Sequence, residues 1–259
     1  MEHTTPSSLE PVDASDGKLY LQVKRRLMTL IEQGTWPPGR PIPSERQLSG
    51  ELDVSIGTLR RAVDELVQEQ VLVRRQGKGT FVTLHSRDRY LFQFFRVEPR
   101  ALGLPASAQH EYPLVECLSF ERDRADEAAA AALRVREGQP VIVITNRLSL
   151  GRRPIVLDRI TVLAAQFKGL TEKRFTERTG TIYNLYQTDF GITVLRTDER
   201  ALAVLASREA VRCLGVPAGA PLIEVHRIAL TFGERPVEYR VSTIQTERHD
   251  YVFDQRRNA

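Results

Sequence analysis

The chain has few of the residues from which catalytic and metal sites are usually built. Its 259 residues include two cysteines and five histidines. Cys117 and Cys213 belong to no Cys-x-x-Cys or Cys/His cluster, so neither a zinc site nor a disulfide framework is expected. No nucleophile elbow, metalloprotease, P-loop or dinucleotide-binding pattern occurs. The sequence therefore predicts a protein that is not an enzyme and has no metal or cofactor.

Long apolar runs are also missing. None approaches the ~18 residues of a membrane-spanning helix. Residues 1–16 are rich in Ser, Thr, Pro and acidic residues and contain neither a basic nor an apolar stretch. They predict a disordered tail rather than a secretion signal. Together with the scarcity of cysteine, this favours a cytoplasmic protein.

Net charge is small, but its distribution is uneven. There are 37 Lys and Arg against 33 Asp and Glu, a formal net charge of +4. Residues 74–100 carry seven of the basic residues against only Asp88 and Glu98. The positive excess therefore follows directly after the first compact segment, which we place at 17–84.

This segment, 17–84, is predicted to contain three helices and a hairpin. Apolar residues recur at helical spacing over 18–33. Ser44 and Gln47 have the spacing of a capping box, and Ser55 is placed to cap a third helix. A strand-like pair then follows, joined by a glycine-rich turn at 76–79. Two short helices with a tight turn and a basic hairpin predict a winged helix-turn-helix.

Such a fold inserts the first turn of its second motif helix into the major groove of DNA. Ser55, Thr58 and Arg60 would reach bases or phosphate there, and Arg46 makes sense beside a phosphate. The hairpin adds charge and close backbone approach through Arg75, Gln76, Gly77, Lys78 and Gly79. The alternatives are an ordinary turn, a solvated basic face and a protein-interaction helix-turn-helix.

Three motifs resemble the winged helix of GntR-type bacterial transcription regulators. They are PSERQL at 43–48, VSIGTLRRA at 54–62 and RQGKGTFV at 75–82. The resemblance implies DNA contacts for Arg46, Ser55, Thr58, Arg60 and the 76–79 tip. This chain departs at Ile56-Gly57, where the family usually has Arg-Thr. A guanine-reading arginine is therefore missing, and Ile56 could instead contact a thymine methyl group.

The rest of the chain contains an internal repeat about 80 residues apart. Each copy has a helix, a Gly-x-Pro turn (138–140 and 219–221) and two long strand candidates. In the alignment Arg147 corresponds to Arg227. Two such units predict an α+β domain, a mostly antiparallel sheet with helices on one side.

This region resembles the UTRA effector domain of HutC-like GntR regulators, whose fold is similar to chorismate lyase. Matching segments include the two Gly-x-Pro turns, 147–148, 154–158, 181–183 and 235–239. The resemblance implies a domain at 113–255 behind a linker at 85–112. It also implies a small, anionic or sugar-derived effector. The implied ligand residues are Arg147, Ser149, Asp158, Thr181, Tyr183 and Glu238, with Phe94 or Phe95 closing the pocket.

In this interpretation Arg147 holds an anion, and Ser149 replaces a second arginine common in relatives. The alternative for each of these residues is an ordinary hydrogen-bonded strand residue. Together the two resemblances imply an effector-controlled transcriptional regulator, most often a repressor, that binds an operator as a homodimer. The rivals are a DNA-binding activator or architectural protein without ligand control, and an enzyme of lyase-like fold carried on a DNA-binding module.

Overall fold

The computed structural model describes residues 19–85, 94–100 and 112–252. The predicted tail at 1–16 lies outside these ranges, as does most of the predicted linker. The chain divides into two compact units, with the division between Leu84 and His85. None of the described helices is long and apolar enough to cross a membrane.

The first unit is a winged helix-turn-helix, as predicted. Its helices pack through apolar faces that include the fully buried Val23, Leu27, Leu48 and Leu59. The elements are α1 (Leu19–Glu32), α2 (Glu45–Glu51), α3 (Ile56–Gln68), β1 (Leu72–Arg75) and β2 (Gly79–Val82), with β1 and β2 antiparallel.

Local hydrogen bonds explain where the two motif helices begin. The Ser44 hydroxyl accepts from the backbone N–H of Gln47, whose side chain reaches back to the backbone N–H of Ser44. Ser55 caps α3 by accepting from the N–H of Thr58. Asp53, between the helices, has a left-handed φ of 51° that turns the chain sharply. The predicted caps are therefore confirmed.

The second unit is built on a six-stranded antiparallel sheet of order β4-β5-β6-β9-β8-β7. A separate pair joins β3 to β10. The strands are β3 (Val97–Pro99), β4 (Leu114–Arg124), β5 (Pro140–Leu150), β6 (Arg153–Leu163), β7 (Arg196–Leu205), β8 (Pro221–Thr231), β9 (Arg235–Ile244) and β10 (His249–Tyr251). The helices are α4 (Glu127–Leu133), α5 (Glu172–Thr176), α6 (Ile182–Phe190) and α7 (Arg208–Leu214).

The predicted repeat is confirmed as β4-α4-β5-β6 followed by β7-α7-β8-β9. We call these the first copy and the second copy. Corresponding elements face each other across the β6–β9 contact, so the sheet has an approximate twofold arrangement. The offset is 81 residues from β5 to β8 and 82 from β6 to β9.

Helices cover both faces of the sheet, so the prediction that they lie on one side is wrong. Helix α4 packs on Val141 and Val143, and α7 packs on Leu157. The α5 and α6 helices pack with Ile142 and Ile144 in the largest core cluster. Because side chains alternate along a strand, odd and even residues of β5 lie on opposite faces.

Part of the predicted linker belongs to the second unit. Phe94, Phe95 and Val97 are buried in the largest core cluster because the sheet supplies an apolar surface for them. We call residues 94–100 the covering segment. His85 is also buried, and its backbone N–H and C=O bond the Gln187 and Asn184 side chains of α6.

Candidate functional site

The start of α3 presents short polar side chains on an exposed surface. Ser55 Oγ lies 2.8 Å from Thr58 Oγ1 and accepts from the backbone N–H of Thr58. Ile56, the first helical residue, is 45% exposed. The helix therefore offers two hydroxyls and an apolar group at the end that the winged-helix geometry directs to DNA.

Acidic residues partly neutralise the arginines near this helix. Arg60 is 61% exposed, and its Nε donates to Glu45 at 2.9 Å. Glu45 also pairs with Arg74, which contacts Asp64 on its other side. Arg46 is exposed and forms no ion pair within the described ranges. It is therefore the arginine most available to a phosphate.

The wing is an exposed turn that only small residues can form. Gly77 and Gly79 have φ of 69° and 106°, in the region that favours glycine. Arg75, Gln76 and Lys78 are exposed around them. The Arg75 guanidinium also stacks 4.5 Å from the centre of the Phe81 ring, which orients the base of the wing.

In the second unit, one face of the sheet carries three aligned positions from each copy. In the first copy they are Cys117, Asn146 and Asp158, paired across β4, β5 and β6. In the second copy they are Glu199, Arg227 and Arg240, paired across β7, β8 and β9.

Arg240 is fully engaged at the centre of this face. Its Nη1 donates to Asp158 Oδ2 at 3.1 Å. Its Nε and Nη2 donate to the two oxygens of Glu238 at 2.9 and 3.1 Å. Ser242 donates to Asp158 Oδ1 at 2.5 Å. All four side chains are buried, so their partners are fixed by the surrounding packing.

Two tyrosines of α6 complete the hydrogen bonds of Glu238. Tyr183 and Tyr186 donate to its two oxygens at 3.1 and 2.8 Å. Burial, with the nearby charge of Glu238, raises the pKa of Tyr186 well above its usual value. Tyr186 therefore keeps its proton and remains a donor.

A second buried ion pair lies on β7 and β8. Arg227 Nε donates to Glu199 Oε1 at 2.7 Å, and its Nη2 donates to the backbone oxygen of Phe94 at 2.6 Å. Tyr251 and Arg96 also contact Glu199, at 2.6 and 3.2 Å. Burial alone would raise the pKa of Glu199, but Arg227, Tyr251 and Arg96 outweigh it and the pKa is lowered.

A cleft of about 310 Å³, counted to its open mouth, lies between this face and the covering segment. Its polar lining comes mainly from the second copy. The cleft is lined by Phe94, Phe95, Arg96, Val97, Leu148, Val156, Asp158, Arg227, Arg240, Ser242, Ile244 and Tyr251. Elsewhere in the described ranges no three His, Cys, Asp or Glu residues are grouped as metal ligands.

Comparison with known families matches both units. The model described as "Bacterial regulatory proteins, gntR family" matches residues 19–82, and the UTRA domain model matches residues 108–250. The chain is a GntR-family transcriptional regulator with a UTRA domain. In this family the UTRA domain binds a small molecule, and the winged helix binds the DNA operator.

The curated relatives are repressors. The histidine utilization repressor of Pseudomonas putida is 30% identical over 85% of this chain and 84% of its own length. The probable fructoselysine utilization operon transcriptional repressor of Shigella flexneri is 26% identical over 93% and 96%. The alignments extend through both the GntR and UTRA domains.

Solved structures agree with the fold. The ligand-binding domain of a Bordetella bronchiseptica protein described as a GntR-family regulator is 33% identical, with a TM-score of 0.56. It covers 61% of this chain and 95% of that structure. PhnF of Mycobacterium smegmatis, 22% identical, covers 90% and 99% with a TM-score of 0.51.

The UTRA domain brings together only some of the effector residues expected from the sequence. Asp158 and Phe95 line the cleft, and Glu238 lies behind Arg240. Tyr183 bonds Glu238, but it is buried behind the cleft rather than lining it. Thr181 is fully buried and uses its hydroxyl to cap α6 by accepting from the N–H of Asn184.

Arg147 and Ser149 lie on the other face of the UTRA sheet, away from the cleft. Arg147 is paired with Leu157, which packs on α7, and it donates to Glu116 at 2.6 Å. Ser149 lies between Leu148 and Leu150, both in the core cluster on the cleft face. The expected grouping of Arg147 and Ser149 with Asp158 is therefore wrong.

Sequence reasoning missed the arginines that do reach the UTRA cleft, Arg227 and Arg240. The alignment of the repeat paired Arg147 with Arg227, whereas strand register pairs Asn146 with Arg227. A shift of one residue moves a side chain to the opposite face of a strand. The prolines Pro154 and Pro236, 82 residues apart, would have aligned Asp158 with Arg240.

Proposed function

We propose that this chain is a transcriptional repressor that binds a palindromic operator as a homodimer and is released by a small effector. The proposal places its site of action in the cytoplasm, where operator DNA is accessible. The observation that carries it is the presence on one chain of an exposed winged helix and a buried, polar, ligand-sized cleft. We propose no catalytic role for the cleft.

For DNA binding we propose contacts from the first turn of α3, from the start of α2 and from the wing. Arg60 would exchange Glu45 for a phosphate or base, which costs little because the pair is solvent-exposed. Arg46 needs no such exchange. The proposed contacts are Arg46, Ser55, Thr58, Arg60, Arg75, Gln76, Gly77, Lys78 and Gly79.

For effector binding we propose the cleft, with Asp158 as a direct contact and Phe95 as part of its cover. Glu238 and Tyr183 would hold Arg240 in position, and Thr181 would fix the start of α6. Support comes from the hydrogen bonds that join these groups. By linkage, an effector that weakens operator binding must bind more weakly to the DNA-bound protein by the same factor.

The test measures binding of the purified full-length protein to DNA from upstream of its own gene, by fluorescence anisotropy over a salt series. We expect affinity to fall steeply with salt because phosphate contacts displace counterions. Arg46→Ala should weaken binding about tenfold or more and flatten the salt dependence. Arg147→Ala, which removes an arginine of the second unit, is the matched control and should change neither.

Two outcomes would contradict the proposal. Salt-independent binding, or equal loss in the two variants, would exclude the proposed DNA surface. Operator binding that no compound of a broad metabolite panel alters would instead favour ligand-independent DNA binding.

A further inference from the structure

We infer that the cleft takes a dipolar ligand, one that carries a carboxylate at one end and a cationic hydrogen-bond donor at the other. The carboxylate would face Arg227 and the donor would face Asp158. The inference rests on the proposed function, since it names the chemical class of the effector.

The first argument is the asymmetry of the two copies. At equivalent positions the first copy supplies the acceptor Asp158 and the amide Asn146, whereas the second supplies the donors Arg240 and Arg227. Asn146 Oδ1 is buried and has no hydrogen-bond partner within the described ranges. A ligand across the twofold contact therefore meets acceptors on one side and guanidinium donors on the other.

The second argument is charge balance. Three carboxylates and three guanidiniums form the buried cluster in the described part of this unit: Asp158, Glu199, Glu238, Arg96, Arg227 and Arg240. The cluster is neutral as it stands. A ligand with a net charge of two would leave unbalanced charge in a region of low dielectric, which is costly. A zwitterion adds no net charge.

The third argument concerns hydrogen bonds still available to a ligand. Arg227 uses Nε and Nη2, but its Nη1 has no partner among the described residues, and Arg227 lines the cleft. A planar guanidinium edge suits a carboxylate. The oxygens of Asp158 accept one printed bond each, from Ser242 and Arg240, and a carboxylate oxygen can accept two.

The fourth argument concerns the length and body of the ligand. Asp158 and Arg227 lie on β6 and β8, with β9 between them, so their backbones are about 10 Å apart. Six apolar side chains line the same cleft. The two charged ends must therefore be joined by an apolar spacer of several bonds, which excludes the short separation within a simple α-amino acid.

The experiment compares three probes of matched length on the full-length protein: 5-aminopentanoate, pentanoate and pentylamine. Inorganic phosphate is the fourth. Affinity is measured by calorimetry and by the shift in melting temperature. We expect 5-aminopentanoate to bind about tenfold or more tightly than either single-ended probe, and phosphate to bind least.

Variants assign the two ends. Arg227→Gln should weaken 5-aminopentanoate and pentanoate by about tenfold or more and leave pentylamine unchanged. Arg227→Lys, which keeps the charge but loses the planar edge, gives the same comparison if Arg227→Gln does not fold. Asp158→Asn should reduce the affinity for 5-aminopentanoate towards that for pentanoate. Arg147→Gln, on the opposite face, should change no affinity.

Three results would overturn the inference. They are phosphate binding that exceeds 5-aminopentanoate binding, equal affinity for the three length-matched probes, and no binding of any of them. If operator binding by the same preparation still responds to a sugar or a phosphorylated compound, effector control stands and only the ligand class is wrong. If operator binding itself is absent, the proposed function also fails.

Discussion

The two copies of the UTRA repeat share a strand-helix-strand-strand backbone but present different side chains to the cleft. The first copy places Cys117, Asn146 and Asp158 at the three aligned positions, and the second places Glu199, Arg227 and Arg240 there. The shared backbone provides the cleft. The side chains at three positions per copy decide what it can hold.

A pair of substitutions at one equivalent position should give the largest difference between the copies. Arg227→Gln removes the closest cation from buried Glu199 and should lower the free energy of unfolding by about 3–5 kcal/mol. Asn146→Ala removes an amide whose oxygen has no described partner, so we expect a loss of about 1 kcal/mol or less. Urea denaturation at constant m-value measures both. Equal losses would mean that the buried ion pair contributes no more than ordinary packing.

Acid titration tests the asymmetry at the next position. The pKa of Glu199 is lowered in the folded protein, so its stabilisation is present above the unfolded pKa of about 4.3 and is lost as pH falls through the lower folded value. Glu199→Gln should flatten the fall in unfolding free energy below pH of about 4.3, by at most about 1.4 kcal/mol per pH unit. Cys117→Ser, at the equivalent position, should leave the slope unchanged. An unchanged slope in Glu199→Gln would contradict the lowered pKa.

The ends of α4 and α7 should give a smaller effect of opposite sign in the two copies. Both helices end in a left-handed residue, Arg134 with φ of 56° and Gly215 with φ of 69°. Gly215→Ala should destabilise by about 1 kcal/mol because a Cβ strains this conformation. Arg134→Gly should stabilise by up to about 1 kcal/mol for the same reason. Melting temperatures measure both, and shifts of the same sign would refute the account.

Local signals made the first unit predictable. The Ser44–Gln47 capping box, the Ser55 cap and the glycines of the wing each act within a few residues, so their outcome could be read from the sequence. The repeat was also visible, because each copy carries a Gly-x-Pro turn before a long strand.

Side-chain direction in the sheet was not predictable from the same signals. Arg147 and Arg227 align by residue type, yet strand register puts them on opposite faces. The difference arises because the offset between the copies changes by one residue at the strand connections. Similarly, Phe94 and Phe95 follow charged sequence that suggested a linker, and only the apolar surface of the distant sheet explains their burial.

The pairing of β3 with β10 has a consequence for protein synthesis. The ion pair of Arg100 with Asp250 joins residues 150 positions apart, whereas every contact of the winged helix is made before residue 85. At cellular rates of elongation, the 150 residues take about 8 to 30 s to make. During that interval the nascent chain can already hold a folded DNA-binding unit. Because Tyr251 lines the cleft, effector binding must wait until almost the last strand has been translated.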